Sequence, residues 1–231
     1  MNTIQFDRTR FDFIKSMFGN NEDYLPQKSH LTFVTPFRKG KGNYQFKVDD
    51  VGLTNPHVIA RHLPRNDMFI AKSIFVGIYI EPTAKPGHGV ILTYPYRTGG
   101  GLPAGFGGLT NSDGEALYNG EMEIRTGQVL NYDSFPLHEF RVVPETQSLQ
   151  IMNDTGIESM GVLPQFDFKK AAIDLPEVLK FRGDADQKIN IEFPFLEDSE
   201  IAAQPGFTAY LIVKVDGWKV QNGTSYKRLE A

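Results

Sequence analysis

Residues 68–80 read MFIAKSIFVGIYI, and this stretch decides the fold class. It is rich in β-branched and aromatic residues, which favour a strand over a helix, and Pro82 ends it. Residues 43–48 (NYQFKV) alternate polar and apolar side chains, so that Tyr44 and Phe46 fall on one face. Alternation of this kind indicates a strand with one buried and one solvated face. Both segments therefore predict an antiparallel β-protein.

Further strands are predicted along most of the remaining chain. The candidate segments are bounded by glycine, proline, asparagine or aspartate, and they lie at residues 30–37, 90–94, 128–132, 138–143, 178–182, 189–195 and 208–215. Roughly ten strands without a regular alternation of strand and helix disfavour a parallel α/β sheet. The spacing favours an all-β sandwich, and in particular a jelly roll with long Gly/Pro-rich loops; a compact double jelly roll is the alternative.

Two dipeptides predict tight turns between these strands. Asn119–Gly120 favours a type I′ hairpin turn, although residues 115–118 are also compatible with a helical turn. Asp216–Gly217 predicts a second hairpin, with residues 218–221 as its return strand. Residues 144–176 show no regular pattern, and residues 98–114 form a glycine-rich loop of the length that is usually functional or flexible.

The first residues have helical rather than strand periodicity. In TIQFDRTRFDFIKSMF (residues 3–18), Phe6, Arg10, Ile14 and Met17 share one side, and Gly19 is placed to end a helix. We divide the chain into an N-terminal helical arm, residues 1–22, and a β-sandwich domain, residues 23–231. Two interpretations of the arm stay open: a helix docked on its own domain, or an arm that contacts a neighbouring subunit or a lipid surface, with Arg8 and Arg10 on a basic side.

Composition excludes several classes of site. The chain has 231 residues, a formal net charge of −4 and no cysteine. The absence of cysteine removes disulfides, thiolate zinc sites, iron–sulfur clusters and cysteine nucleophiles. The charge balance argues against a dedicated nucleic-acid binder. No apolar run approaches the ~20 residues of a transmembrane helix, and charged residues within the first 12 positions argue against a signal peptide.

No motif predicts catalytic, cofactor-binding or metal-ligating residues. The glycine-rich loop lacks the Gly-Lys-Ser/Thr of a phosphate-binding loop, and neither GxSxG, HxH nor HExxH occurs. A carboxylate pair on a strand face stays open as an alternative, because such acids need not be close in sequence. Its candidates are Glu121, Glu123, Glu139 and Glu192.

One basic cluster lies between the first two predicted strands. It contains Arg38, Lys39 and Lys41, followed by Lys47. We interpret it as a solvated loop; contact with nucleic acid or acidic lipid headgroups is the alternative.

Several segments together resemble the jelly-roll capsid proteins of tailless icosahedral bacteriophages. They are FDRTRFDFIKSMF, MFIAKSIFVGIYI, ALYNGEMEIRTGQVLNY, HEFRVVPETQ, INIEFPF and TAYLIVKVDGW, and they span most of the chain as a pattern. The resemblance implies a non-enzymatic, self-assembling shell subunit without cofactor or small-molecule substrate. It implies a homo-oligomer such as a trimer, located in a virion that is assembled in the host cytoplasm, with other virion proteins as partners. It further implies that the arm reaches a neighbour, an inner membrane or the genome, with Phe11, Ile14 and Phe18 as contact residues.

Two rival functions remain on the sequence alone. A lectin-like sandwich would stack sugars on exposed aromatic rings, for which the candidates in or near predicted loops are Tyr94, Tyr96, Phe106, Tyr118 and Trp218. A sandwich-fold glycoside hydrolase would use two of the four glutamates named above.

Overall fold

The computed structural model describes residues 3–19, 22–50, 57–95, 108–110, 113–143, 145–153, 156–165 and 168–226. Its helices are α1 (Thr3–Met17) and α2 (Phe168–Ala171). Its strands are β1 (Pro26–Pro36), β2 (Asn43–Lys47), β3 (Met68–Pro82), β4 (Val90–Leu92), β5 (Glu121–Thr126), β6 (Val129–Pro136), β7 (Glu145–Asn153), β8 (Gly156–Gln165), β9 (Ile173–Arg182), β10 (Gln187–Glu192) and β11 (Phe207–Val220). Short 3₁₀ helices occupy Glu22–Tyr24, Asp113–Asn119, Leu137–Phe140 and Gly223–Ser225.

The strands form two main antiparallel sheets, which confirms the predicted all-β sandwich. The first sheet has the order β1-β11-β3, and both β4 and β9 pair with β3. β9 pairs with the first half of β3, and β4 pairs with residues 78–80 near its end. The second sheet has the order β2-β10-β5-β6, and β7 and β8 form a separate two-stranded hairpin.

Eight of the described strands pair in a nested order. Without β4 and the β7–β8 hairpin, the first strand pairs with the last (β1 with β11), β2 pairs with β10, β3 with β9, and β5 with β6. All four pairs are antiparallel, so the arrangement corresponds to one long hairpin that crosses repeatedly between the two sheets. Two further pairings, β11 with β3 and β10 with β5, join these pairs into the two sheets.

Alternation of side chains along the strands builds the core between the two sheets. Tyr44, Ile124 and Ile191 from the second sheet face Phe33 and Val213 from the first, and all are at most 1% exposed. Burial of each such side chain stabilises the fold by about 1.5–3 kcal/mol. The core explains why the alternating segments form strands here: only the extended backbone places every second residue inside.

The predicted hairpin at Asp216–Gly217 is wrong, because β11 runs straight through it. The register against β3 shifts between these two residues instead. A Cβ on Gly217 would collide with the backbone oxygen of Ile70, so glycine is present to allow a close approach of two strands.

Three other local predictions are corrected. Asn119–Gly120 does not form a hairpin turn; residue 119 ends a 3₁₀ helix, and a Cβ on Gly120 would collide with the backbone oxygen of Glu192. Residues 138–143 are not a strand, since Leu137 and Phe140 enter the core from a 3₁₀ turn. The patternless stretch 144–176 contains the β7–β8 hairpin and the start of β9.

Candidate functional site

The N-terminal helix lies on the outer face of the first sheet of its own chain. Ile14 and Phe18 are 0% and 2% exposed, respectively. They pack with Ile70, Trp218 and Val220, which point outward from the sheet. This contact corresponds to the docked-helix interpretation of the arm.

Arg10 fixes the helix to the sheet by polar contacts. Its Nη2 donates to the backbone oxygen of Leu175 at 3.3 Å and lies 3.5 Å from that of Ala71. The register between β3 and β9 shifts after Ala71, so that residues 175–178 of β9 have no pairing partner in β3. Leu175 is one of these residues. The guanidinium also lies 5.9 Å from the centre of the Trp218 ring. Arg10 therefore satisfies carbonyls at an irregularity of the sheet.

The other predicted arm residues are placed less deeply. Phe11 is half-buried at the edge of the same cluster, and Arg8 is exposed. Phe13, which sequence reasoning did not single out, is 52% exposed on the outer side of the helix. Contact of the arm with a neighbour, a membrane or a genome stays a prediction, as does the division at residue 22.

The predicted basic loop is held by contacts within the chain. Lys39 Nζ lies 3.2 Å from Asp198 Oδ1, and Lys41 Nζ lies 4.7 Å from the centre of the Tyr44 ring. The backbone N–H of Arg38 donates to the Tyr44 hydroxyl. Both groups of the Lys39–Asp198 pair are mostly exposed, so it contributes at most about 1 kcal/mol. The loop is ordered against its neighbours without being a deep cationic site.

Four of the connections between strands meet at one end of the sandwich, which we call the loop-bearing end. The connections are residues 37–42, 83–120, 137–172 and 193–206. Their described parts bond to one another: Gly40 N–H donates to Ser199 O, Thr110 N–H to Ala202 O, and Val142 N–H to Thr93 O. The opposite end has a two-residue turn between β5 and β6, a four-residue turn between β9 and β10, and the longer connection 48–67 between β2 and β3. Leu196, 79% exposed, lies at the loop-bearing end.

The outer face of the second sheet carries three rows of polar side chains, set by the register of β2, β10 and β5. The row nearest the loop-bearing end holds Asn43, Glu192 and Glu121; the next holds Gln45, Asn190 and Glu123; the last holds Lys47, Lys188 and Arg125. A groove of about 760 Å³ lies over the first two rows, with Asp133 and Ser134 of β6 at its side. The face therefore passes from acidic through amide to basic along the strands.

Hydrogen bonds fix the middle row of this groove. Gln45 Nε2 donates to Asn190 Oδ1 at 3.0 Å, and Asn190 Nδ2 donates to Glu123 Oε1 at 2.9 Å. Arg125 Nη2 donates to Glu123 Oε2 at 2.9 Å, and the Ser134 hydroxyl donates to Glu121. The Arg125 guanidinium lowers the pKa of Glu123 below its ordinary value. Each of these side chains thereby has a hydrogen-bond partner on the same face of the sheet.

The four candidate catalytic glutamates lie in two separate places, three on β5 and β10 and one in a 3₁₀ turn. Glu121 and Glu192 lie directly opposite each other at the exposed rim, and Glu139 lies in a separate 3₁₀ turn. A general acid needs a raised pKa, whereas that of Glu123 is lowered. Glu123 therefore lacks the raised pKa that a general acid requires.

A buried carboxylate that the sequence did not indicate lies on the outer face of the first sheet. Glu81 is 2% exposed and accepts hydrogen bonds from Gly87 N–H at 2.7 Å and from Tyr79 Oη at 3.0 Å. His57 Nε2 lies 2.6 Å from Glu81 Oε1, and the Tyr210 hydroxyl also bonds to this carboxylate. Burial raises the pKa of Glu81, but these donors outweigh it, so the pKa lies below its ordinary value. The cluster joins residues 57–60 and 83–89 to the sheet.

The structure describes three of the aromatic residues proposed as a sugar platform, and two of these are buried. Trp218 is 4% exposed beneath α1, and Tyr118 is 2% exposed in the core. Arg141 lies 4.6 Å from the centre of the Tyr94 ring. Tyr96 and Phe106 lie outside the described residues.

Neither a metal-binding cluster nor a membrane-spanning helix occurs in the described ranges. Those ranges contain no group of three or more His, Cys, Asp or Glu side chains arranged to hold a metal ion. None of their helices is long and apolar enough to cross a bilayer. Comparisons with protein-family models, curated proteins and solved structures gave no match to this chain.

Proposed function

We propose that this chain is a non-enzymatic structural protein that self-assembles, a jelly-roll subunit of a viral shell such as a bacteriophage capsid. In this proposal it works as a homo-oligomer, such as a trimer, within a larger shell. Other virion proteins are its further partners, and it resides in the virion after assembly in the host cytoplasm.

The nested pairing of eight strands is the observation that carries the proposal. A long hairpin wrapped across two sheets is the topology of a jelly roll, an architecture common in viral capsid and lectin domains. The nested order, from β1 paired with β11 to β5 paired with β6, supports a single roll rather than a double one in this proposal. The shell function follows from this topology by analogy of fold.

The loop-bearing end supports a contact role independently of that analogy. Four connections converge there, and their described parts bond to one another. Leu196 is 79% exposed and lies two residues before Asp198, which pairs with Lys39, so an apolar side chain and charges of both signs lie in the same part of this end. A surface of this kind fits a subunit interface, in which an apolar centre is surrounded by a polar rim.

The arm has a narrower role in this proposal than the sequence predicted. Ile14 and Phe18 stabilise the subunit itself. The exposed side of α1, with Arg8 and Phe13, is left for a neighbouring subunit, an inner membrane or the genome.

Light scattering coupled to size exclusion tests the proposal on the full chain. We expect trimers or larger particles that grow with concentration, and we expect Leu196→Glu to weaken them. Val129→Glu is the matched control, since Val129 is 61% exposed at the opposite end. A monomer at all concentrations and salt conditions, or equal loss of association in both variants, would contradict the proposed interface.

A further inference from the structure

The groove on the outer face of the second sheet has no part in the proposed shell contacts, yet its side chains are held in fixed positions. Its volume of about 760 Å³ falls within the range of small-molecule sites. It is lined by residues from all four strands of that sheet, together with Asn119 and Pro194 from the adjoining connections. A solvated strand face needs alternating polar residues, but it does not need a concave surface with interlocked side chains.

We propose that this groove binds a neutral glycan chain, laid across the strands along the row Gln45, Asn190 and Glu123. This inference goes beyond the shell function and does not depend on it.

The chemistry of the row fits sugar hydroxyls. The hydrogen bonds Gln45–Asn190 and Asn190–Glu123 occupy one donor of each amide and leave the second amide N–H of both side chains. The Gln45 carbonyl oxygen stays as an acceptor. So does one lone pair of Glu123 Oε2, because that carboxylate already accepts two hydrogen bonds from Arg125 and one from Asn190. Mixed donors and acceptors suit a hydroxyl, which both donates and accepts. Neighbouring strands lie about 4.8 Å apart, so the row presents polar groups at a regular spacing.

Charge and the scarcity of aromatic rings narrow the ligand class. Among the described residues, four carboxylates line the groove against one guanidinium, that of Arg125, which already bonds to Glu123. This balance repels anionic glycans and nucleic acid. The described lining includes one aromatic residue, Phe193, which is 3% exposed, so the groove offers hydrogen bonds rather than ring stacking.

Two of the acids are already engaged, which favours a neutral ligand over a basic peptide. Glu123 bonds to Arg125 and Asn190, and Glu121 accepts from Ser134. A basic peptide would need to compete with these contacts, whereas a polyhydroxylated chain adds to them.

Calorimetric titration of the full chain tests the inference. The probes are cellohexaose, xylohexaose, mannohexaose, laminarihexaose and maltohexaose, with hexagalacturonate as the anionic counterpart and hexalysine as the basic peptide. We expect at least one neutral hexaose to bind with a dissociation constant below about 1 mM, and hexagalacturonate not to bind. Asn190→Ala and Gln45→Ala should each weaken that binding by about tenfold or more.

Gln27→Ala is the matched control, because Gln27 is an exposed amide on β1 of the other sheet. It should bind the same hexaose as the parent chain does, and circular dichroism should show that all variants are folded. No binding by any neutral hexaose at about 5 mM would overturn the proposal. So would stronger binding of hexalysine, or binding that survives Asn190→Ala unchanged. None of these results bears on self-assembly, which light scattering measures separately.

Discussion

Replacement of Glu81 by glutamine should destabilise the protein strongly although it removes no volume. In the native protein the carboxylate is 2% exposed and receives donors from Gly87, Tyr79, Tyr210 and His57. Glutamine removes the negative charge, keeps one acceptor oxygen and replaces the other with an amide N–H donor. The change therefore weakens the hydrogen bonds made to this position and requires the neighbouring hydroxyl groups to reorient.

The magnitude follows from the hydrogen bonds that the Glu81 carboxylate accepts. A hydrogen bond to a charged group contributes about 1.5–3 kcal/mol, and leaving a buried donor unsatisfied costs about 1–3 kcal/mol. Because the amide retains part of this network, we expect the free energy of unfolding to fall by about 3 kcal/mol. For a domain of this size that corresponds to a Tm lower by about 6–12 °C.

The pH dependence gives a second, independent readout. Because the pKa of Glu81 is lowered in the folded protein, its carboxylate stabilises the native state fully above the pKa of the unfolded chain. This contribution is lost as the pH falls through the folded pKa. The parent chain should therefore become less stable as the pH falls through the folded pKa of Glu81. The Glu81→Gln variant should lose less stability over the same pH range.

Denaturant unfolding followed by tryptophan fluorescence is a suitable assay, since Trp218 is the single tryptophan and is 4% exposed. Glu139→Gln is the control, because the Glu139 side chain is 56% exposed and should change stability by less than about 0.5 kcal/mol. The reasoning fails if Glu81→Gln lowers the free energy of unfolding no more than Glu139→Gln does. It also fails if the parent chain and Glu81→Gln lose stability equally steeply in acid.

Three further changes test the docked helix, the core and the strand irregularity, each by denaturant unfolding. Ile14→Ala should cost about 2–4 kcal/mol by opening a cavity between α1 and the sheet, whereas Phe13→Ala, at an exposed site, should cost less than about 0.5 kcal/mol; equal effects would contradict the docking. Tyr118→Phe should stabilise the protein by about 1 kcal/mol, since within the described structure its buried hydroxyl has no hydrogen-bond partner; a loss of stability would reveal one. Gly217→Ala should lower the free energy of unfolding by more than about 2 kcal/mol, because its Cβ would collide with the backbone oxygen of Ile70, which cannot move away as a flexible side chain could. An unchanged stability would show that the two strands can move apart at this point without cost.

The sandwich is predictable from the sequence because its signal is local and repeated. The alternation in β2 and the β-branched run in β3 each identify a strand without reference to the rest of the chain. The helix α1 is predicted in the same way, from its 3.6-residue periodicity.

The wrong predictions concern residues whose role is set by another part of the chain. Gly217 and Gly120 signal turns in sequence, but in the structure each allows a close approach to a backbone oxygen of a distant strand. The sequence places Trp218 in or near a loop, whereas its burial depends on α1, which lies about 200 positions earlier. A local sequence pattern carries no information about which distant segment a residue will pack against.

The candidate sites are less predictable than the fold for the same reason. Glu123, Asn190 and Gln45 form one row only because β2, β10 and β5 are neighbours in the sheet. Glu81 resembles the polar end of a strand in sequence, and its four donors come from four separate positions of the chain. Only the strand order brings these groups together.

Electron microscopy of the purified full chain, at high concentration and over a range of salt and pH, tests the central claim most directly. The account predicts discrete oligomers or closed particles in which subunits meet through the loop-bearing end, and their loss in Leu196→Glu. Single 26.0 kDa subunits under every condition, from a chain that circular dichroism shows to be folded, would contradict self-assembly as its function.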